Sequence, residues 1–241
     1  MSKALENQIG PHKGTGHRQR LRERFLTSGL DGFHDYEVVE LLLTLGTPRK
    51  DCKAAAKALM QRFKTLQKVF DASPADLKAV PGIGPTNLVG LKLVPAVCQR
   101  YLRQQLTGKP ALSDSKALLD YLGHAIRDKK RECFMAIYLD AKNRVIADET
   151  LFTGTLTASA VYPREVVSAA LAHGAAAVIF AHNHPSGDPS PSPDDMNITR
   201  KLVQACRLMG ITVHEHVIVG SQGHYSFADH GHMADLRRAG G

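Results

Sequence analysis

The sequence predicts an α/β (α+β) protein in two parts, an all-α N-terminal half and a C-terminal half in which helices alternate with strands. Three observations predict it. Helical periodicity recurs through residues 18–102, with no strand pattern before residue 130. After residue 114, apolar runs of strand length alternate with helix signals, the pattern of a sheet covered by helices. Charge divides along the same line: residues 1–110 hold 18 Lys and Arg against 9 Asp and Glu, and residues 111–241 hold 13 against 14. The net charge of +8 therefore belongs to the first half. That asymmetry points to a nucleic-acid-facing N-terminal unit, beside the plainer reading of a solvated basic surface.

A chain of 241 residues, 43% of them hydrophobic, is long enough for one large domain or two modest ones. No apolar run approaches the length of a membrane span, so no membrane partner is expected. Residues 1–16 are polar, carry no secretory apolar core and read as a disordered tail; the expected location is the cytoplasm. Cys52, Cys98, Cys133 and Cys206 form no CxxC pair. They read as small apolar residues in a reducing compartment.

In the N-terminal half, residues 18–25 form a basic helix, with Leu21 and Phe25 four apart. A second helix spans residues 36–43, apolar at Val38, Val39, Leu41, Leu42 and Leu43. A third covers 51–63, with Asp51 as candidate cap and several alanines for propensity. A short helix begins near Ser73-Pro74. Next come Val80-Pro81-Gly82-Ile83-Gly84-Pro85 and a helix over 86–102. Glycines in such a turn let backbone pass close to a neighbour, and the first amides of the following helix favour a phosphate. Lys78, Lys92, Arg100 and Arg103 supply flanking charge. The segment resembles the helix-hairpin-helix motif, which holds DNA backbone without reading sequence. The implied contacts are Lys78, Gly82, Ile83, Gly84 and Lys92. Leu88 departs from the motif, which has a small residue there, and a tight structural turn is the alternative. Residues 104–113 lose periodicity and read as a linker, giving a first domain over 17–105 and a second over 114–241.

The second domain opens with a helix to about residue 126, capped by Ser113 or Asp114. Residues 132–139 form a strand apolar on both faces, 140–143 a turn and 144–152 the partner strand. A Gly/Thr/Ser-rich connection leads to a helix over 163–173. Residues 175–182 are a buried strand, 194–209 a helix, 212–219 a strand and 225–227 a short last strand.

The chemistry concentrates at Ala181-His182-Asn183-His184-Pro185-Ser186-Gly187 and the following Ser192-Pro193-Asp194-Asp195. Side chains at i and i+2 of an extended chain share a face, so His182 and His184 can converge while Asn183 points away. A turn-rich loop then brings Asp195 within reach. Two imidazoles and a carboxylate leave a fourth position for water, the arrangement of catalytic zinc. Ser192-Pro193-Asp194-Asp195 is also a good helix start, so Asp195 reads equally as a capping-box acid. The two readings are compatible. His214-Glu215-His216 repeats the spacing without loop or acid and is a weaker candidate; His230 and His232 read as solvated. The HxE…CxxC pattern of zinc deaminases is absent.

The pattern H-x-H-P-x(6)-S-x-x-D resembles the JAMM/MPN metalloprotease motif. The wider HNHPSGDPSPSPDD, with VYPREV upstream and GHRQRLRERF and VPGIGP near the N-terminus, is similar to the bacterial RadC family over almost the whole chain. The resemblance implies a cytidine-deaminase-like α/β/α fold for the second domain. It also implies a zinc ion (Zn2+) held by His182, His184 and Asp195, and a glutamate opening the first strand. Glu132 fits that place, with Glu149 in reserve and a solvated strand-end acid as the alternative. Glu132 would then move the proton and Ser192 would donate to the oxyanion. The activity implied is hydrolysis of a peptide or isopeptide bond, with DNA associated through the N-terminal half. A metal-dependent nuclease and a DNA-repair scaffold with a structural metal are the alternatives.

Overall fold

The computed structural model describes residues 15–48, 50–111, 115–154 and 161–238. Of the tail expected over 1–16, residues 1–14 lie outside these, and Thr15 and Gly16 already belong to the first helix. The cap expected at Ser113 or Asp114 and residues 155–160 of the Gly/Thr/Ser-rich connection also lie outside them. No helix among the described residues is long and apolar enough to cross a membrane.

The chain divides between Val97 and Cys98 into two compact units. The first contains α1 (Thr15–Ser28), α2 (Asp35–Gly46), α3 (Lys53–Phe63), α4 (Leu66–Asp71), α5 (Pro74–Lys78) and the start of α6 (Pro85–Leu106). Its core gathers Val39 and Leu43 of α2, Ala56 and Leu59 of α3, Val69, Leu77, Val80, Ile83 and Leu91. Arg24 and His17 of α1 pair with Glu37 and Glu40 of α2 at 2.7 and 3.0 Å. Asp51 does not open α3. It accepts the Lys53 N–H at 2.8 Å in a turn ahead of the helix, which starts at Lys53. The short α4, capped by Thr65, is an element too short for periodicity to mark it.

The boundary falls inside α6 rather than in the segment 104–113 expected to link the domains. Helix formers carry α6 through Leu106. Thr107 and Pro110 then bridge to Val145 and Arg144, and Leu106 and Ala111 join the second unit's core.

The second unit comprises α7 (Ser115–Ile126), β1 (Glu132–Leu139), β2 (Val145–Gly154), α8 (Pro163–Ala172), β3 (Ala177–Asn183), α9 (Pro193–Leu208), β4 (Thr212–Gly220), β5 (Gly223–Ser226) and α10 (His232–Arg238). The sheet order is β2-β1-β3-β4-β5, with β3 and β4 parallel and the other neighbours antiparallel. The period of two sorts β1 and β3 between two cores. Phe134, Ala136, Tyr138, Val178 and Phe180 pack with α8 and α9. Met135, Ile137, Leu139, Ile179 and Ala181 pack with α7 on the other face. Both faces are covered, which is why these strands read as continuous apolar runs. The result is the α/β/α arrangement implied by the resemblance.

Cys52, Cys133 and Cys206 are buried free thiols and Cys98 is half-buried. Burial alone pushes the Cys206 thiol up to about 11, which suits an inert packing role.

Candidate metal centre

The buried strand β3 delivers its histidines to the end of the sheet next to α9. His182 Nε2 lies 3.0 Å from His184 Nε2 and 3.1 Å from Asp195 Oδ1, and His184 Nε2 lies 3.3 Å from Asp195 Oδ2. Zinc with donors at about 2.0–2.1 Å in a tetrahedron separates those donors by about 3.3 Å. The three side chains therefore already sit at coordination spacing, and they are the one His/Cys/Asp/Glu group of this kind among the described residues.

Each ligand has its own local support. Asp195 is residue N3 of α9, in a capping box with Ser192. Its Oδ2 accepts from the Ser192 N–H at 2.7 Å and from the Ser192 hydroxyl at 2.6 Å, leaving Oδ1 toward His182. The cap and the candidate metal ligand are thus one carboxylate. Burial would raise its pKa, but the His182 and His184 imidazoles beside it prevail and hold it well below the usual carboxylate range. His184 Nδ1 sits 2.9 Å from the Asp188 carbonyl, which accepts its N–H and leaves Nε2 as the free lone pair. Asp195 raises the His184 pKa against burial, and Glu132 adds to that effect.

The loop between the histidines and α9 is folded back on β4. Gly187 has φ +93, and its carbonyl accepts the Gln222 N–H at 3.0 Å. A Cβ on Gly220 would lie 2.8 Å from the Gly187 carbonyl carbon, so the loop can approach only because both positions are glycine.

Glu132 begins β1. The pairing Phe134↔His182, continued two residues, sets Glu132 opposite His184 on the same face. A cleft of about 490 Å³ opens there, lined by Lys130, Arg131, Glu132, Gly154, Pro185 and Ser186. Glu149, held in reserve, pairs with Ala136 instead and contacts Tyr138 and His173 at 3.3 and 3.5 Å. Asn183 points to the opposite face, as the strand period requires. Its Oδ1 accepts the Cys133 N–H at 2.7 Å, and its Nδ2 donates to the Lys129 and Arg131 carbonyls at 3.1 and 3.3 Å. It fastens the segment that carries Glu132 to the strand that carries the histidines.

His216 carries more than its place in a second HxH pair indicates. β3 pairs with β4 through a register shift at His214, so Val213 faces Val178 and His216 faces Phe180. The bulge aims His216 at the site, where it is fully buried beside Phe134, Phe180 and Phe227. Burial pushes its pKa well below the ordinary value. His214 turns instead to Asn143 at 2.7 Å. His230 is exposed, as expected, and stacks on Tyr225; His232 is half-buried and hydrogen-bonds the Tyr225 hydroxyl at 2.9 Å.

In the first unit, Gly82 has φ +88, and a Cβ there would lie 3.0 Å from that of Ala55. Ile83 is buried and Gly84 faces open space. Asn87 braces the turn, donating to the Gly82 carbonyl at 3.4 Å and accepting from Thr47 at 3.0 Å. Leu88 packs against the core. Lys78 is exposed. Lys92, expected among the phosphate contacts, donates instead to the Phe70 and Ala72 carbonyls at 2.5 and 3.0 Å, because α4 ends there with carbonyls to satisfy.

Residues 112–232 match the family described as the RadC-like JAB domain, and residues 13–89 match the one described as UPF0758 N-terminal. The chain belongs to the RadC-like JAB domain family. That places it among JAMM/MPN-type metal-dependent hydrolases, whose domains bind a metal. The His182–His184–Asp195 group is where this chain could hold one.

Proposed function

We propose that this RadC-like chain is a zinc-dependent hydrolase cleaving a peptide or isopeptide bond, with its N-terminal unit associating with DNA backbone. One observation carries the hydrolase reading: Glu132 lies on the strand face of the histidine pair and lines a cleft together with Pro185 and Ser186, the residues that follow His184. Zinc at His182, His184 and Asp195 would acidify a water and polarise the scissile carbonyl. Glu132 takes the proton released in the attack and returns it to the leaving amine. Ser192 donates to the developing oxyanion, a contribution of about 3 kcal/mol for such donors. Its hydroxyl is directed to Asp195 Oδ2 before substrate arrives, so it must rotate to do so. The cleft presents Glu132 without burying it, as a base that meets substrate must be.

The DNA reading draws on the positive-φ turn at Gly82, the open space over Gly84, the exposed Lys78 and the basic first half. Its counterpart test is salt-dependent binding of duplex DNA.

The deciding experiment measures bound zinc and cleavage together. Wild type should hold one zinc per chain and His182→Ala/Asp195→Ala none. An unbiased peptide screen should show cleavage that the double variant lacks. Normal zinc content in that variant sinks the site. DNA cutting abolished by His184→Ala, with no peptide cleaved, replaces the peptidase reading by a nuclease.

A further inference from the structure

We infer that His216 and Thr199 are positioning residues that hold the His182 proton on Nδ1 and so present its Nε2 lone pair to the metal. The inference rests on the reading of His182 as a ligand, and follows from counting protons along a chain of three contacts.

The chain starts on α9. Thr199 lies one turn beyond Asp195, and its hydroxyl donates to the Asp195 carbonyl at 2.6 Å. A hydroxyl has a single proton, so Oγ1 has only lone pairs to offer its other neighbour. That neighbour is His216 Nδ1 at 2.6 Å, which must therefore carry a proton and donate it. A neutral imidazole with its proton on Nδ1 has a bare Nε2. His216 Nε2 lies 2.8 Å from His182 Nδ1 and can only accept from it. His182 is then protonated on Nδ1, and its Nε2, facing His184 and Asp195, is the lone pair. His184 reaches the same state separately, through the Asp188 carbonyl. Both imidazoles thus offer the same atom to the same point.

The surroundings keep this setting. Thr199 and His216 are fully buried, and His182 nearly so, leaving no water to substitute for a lost partner. Phe134, Phe180 and Phe227 surround the His216 ring, and none can compete for its nitrogens. Run in reverse, the chain would leave the Asp195 carbonyl without the Thr199 proton and place a proton on His182 Nε2, where it blocks a metal. Metal-bound histidines in general have their other nitrogen fixed by such a partner, and its loss weakens metal binding about 10- to 100-fold.

The test uses full-length protein, with zinc alone as the probe. Zinc affinity is measured by chelator competition for wild type, Thr199→Val, Thr199→Ser and His216→Phe. Ring ¹⁵N shifts of the metal-free wild type report which nitrogen of His182 carries the proton. Thr199→Val keeps the branched shape and removes the hydroxyl; it should lose about 10- to 100-fold in affinity, and Thr199→Ser should recover it. His182 should show an Nδ1 proton in wild type and lose that preference in Thr199→Val. Wild-type zinc affinity in a folded Thr199→Val, or an Nε2 proton on His182 in wild type, overturns the inference. If His216→Phe fails to fold, the threonine pair decides. Failure of the metal reading itself is distinct: wild type then takes up no zinc, whatever the ring shifts show.

Discussion

Asn183 Oδ1 accepts the Cys133 backbone N–H at 2.7 Å, a side-chain bond across 50 positions of sequence that ties the start of β1 to the end of β3. With its two bonds to the Lys129 and Arg131 carbonyls, it sets the distance between Glu132 and the histidine pair. Asn183→Ala leaves the buried Cys133 N–H without that acceptor, at a cost of about 1–3 kcal/mol. Turnover should fall further than zinc affinity, because the candidate ligands stay at the end of β3 and on α9 while Glu132 is released. Denaturant unfolding, zinc titration and steady-state kinetics of one preparation check this.

Glu132→Gln should retain full zinc content and lose about 10²- to 10⁴-fold in kcat, the range of a removed general base. Glu149→Gln should change neither, since Glu149 lies beside Tyr138 and His173. Reversed behaviour of the two variants would move the base to β2.

Gly220→Ala puts a methyl against the Gly187 carbonyl, where backbone rather than a movable side chain must yield. The loop carrying His184 should lift, with a loss of about 1–3 kcal/mol for overpacking and weaker zinc binding. A crystal structure or a zinc titration of the variant reads the displacement.

The effect of zinc on stability should depend on pH. In metal-free protein Asp195 raises the His184 pKa, so that pair contributes stability fully present below the unfolded value of about 6.5 and lost as pH rises through the folded value. The depressed Asp195 pKa adds stability present above about 3.9 and lost only in acid. Zinc requires His184 unprotonated, which reverses its contribution. The zinc-induced rise in Tm should therefore grow between about pH 6 and pH 8. A rise independent of pH would separate His184 from the metal.

In the first unit, Lys78→Ala should reduce the salt slope of DNA binding by about 1, as for a lost phosphate contact. Lys92→Ala should leave the slope alone and cost about 1.5–3 kcal/mol of stability, since its charge closes α4. Equal slopes for wild type and Lys78→Ala would remove Lys78 from any DNA surface.

Much of this was legible from local rules. Period-two alternation separated Asn183 from His182 and His184, and Ser192-Pro193 marked the start of α9. Apolar runs without alternation announced strands covered on both faces. What escaped was set by tertiary contacts. His216 depends on a register shift in β4 that no residue near His214 signals, because a bulge is fixed by pairing with β3. Lys92 looked free because the end of α4, 20 residues earlier, was not recognised. Segment 104–113 looked like a linker because its bridges to Arg144 and Val145 are non-local.

The double use of Asp195 bears on how the metal comes and goes. Its carboxylate is anchored by the Ser192 amide and hydroxyl, so the cap of α9 is made by protein groups alone. A metal taken up there would dock on a helix end that protein groups already cap, unlike small zinc modules that fold only around their ion. The fold should therefore persist when a chelator removes the ion, a result that circular dichroism of chelated protein checks.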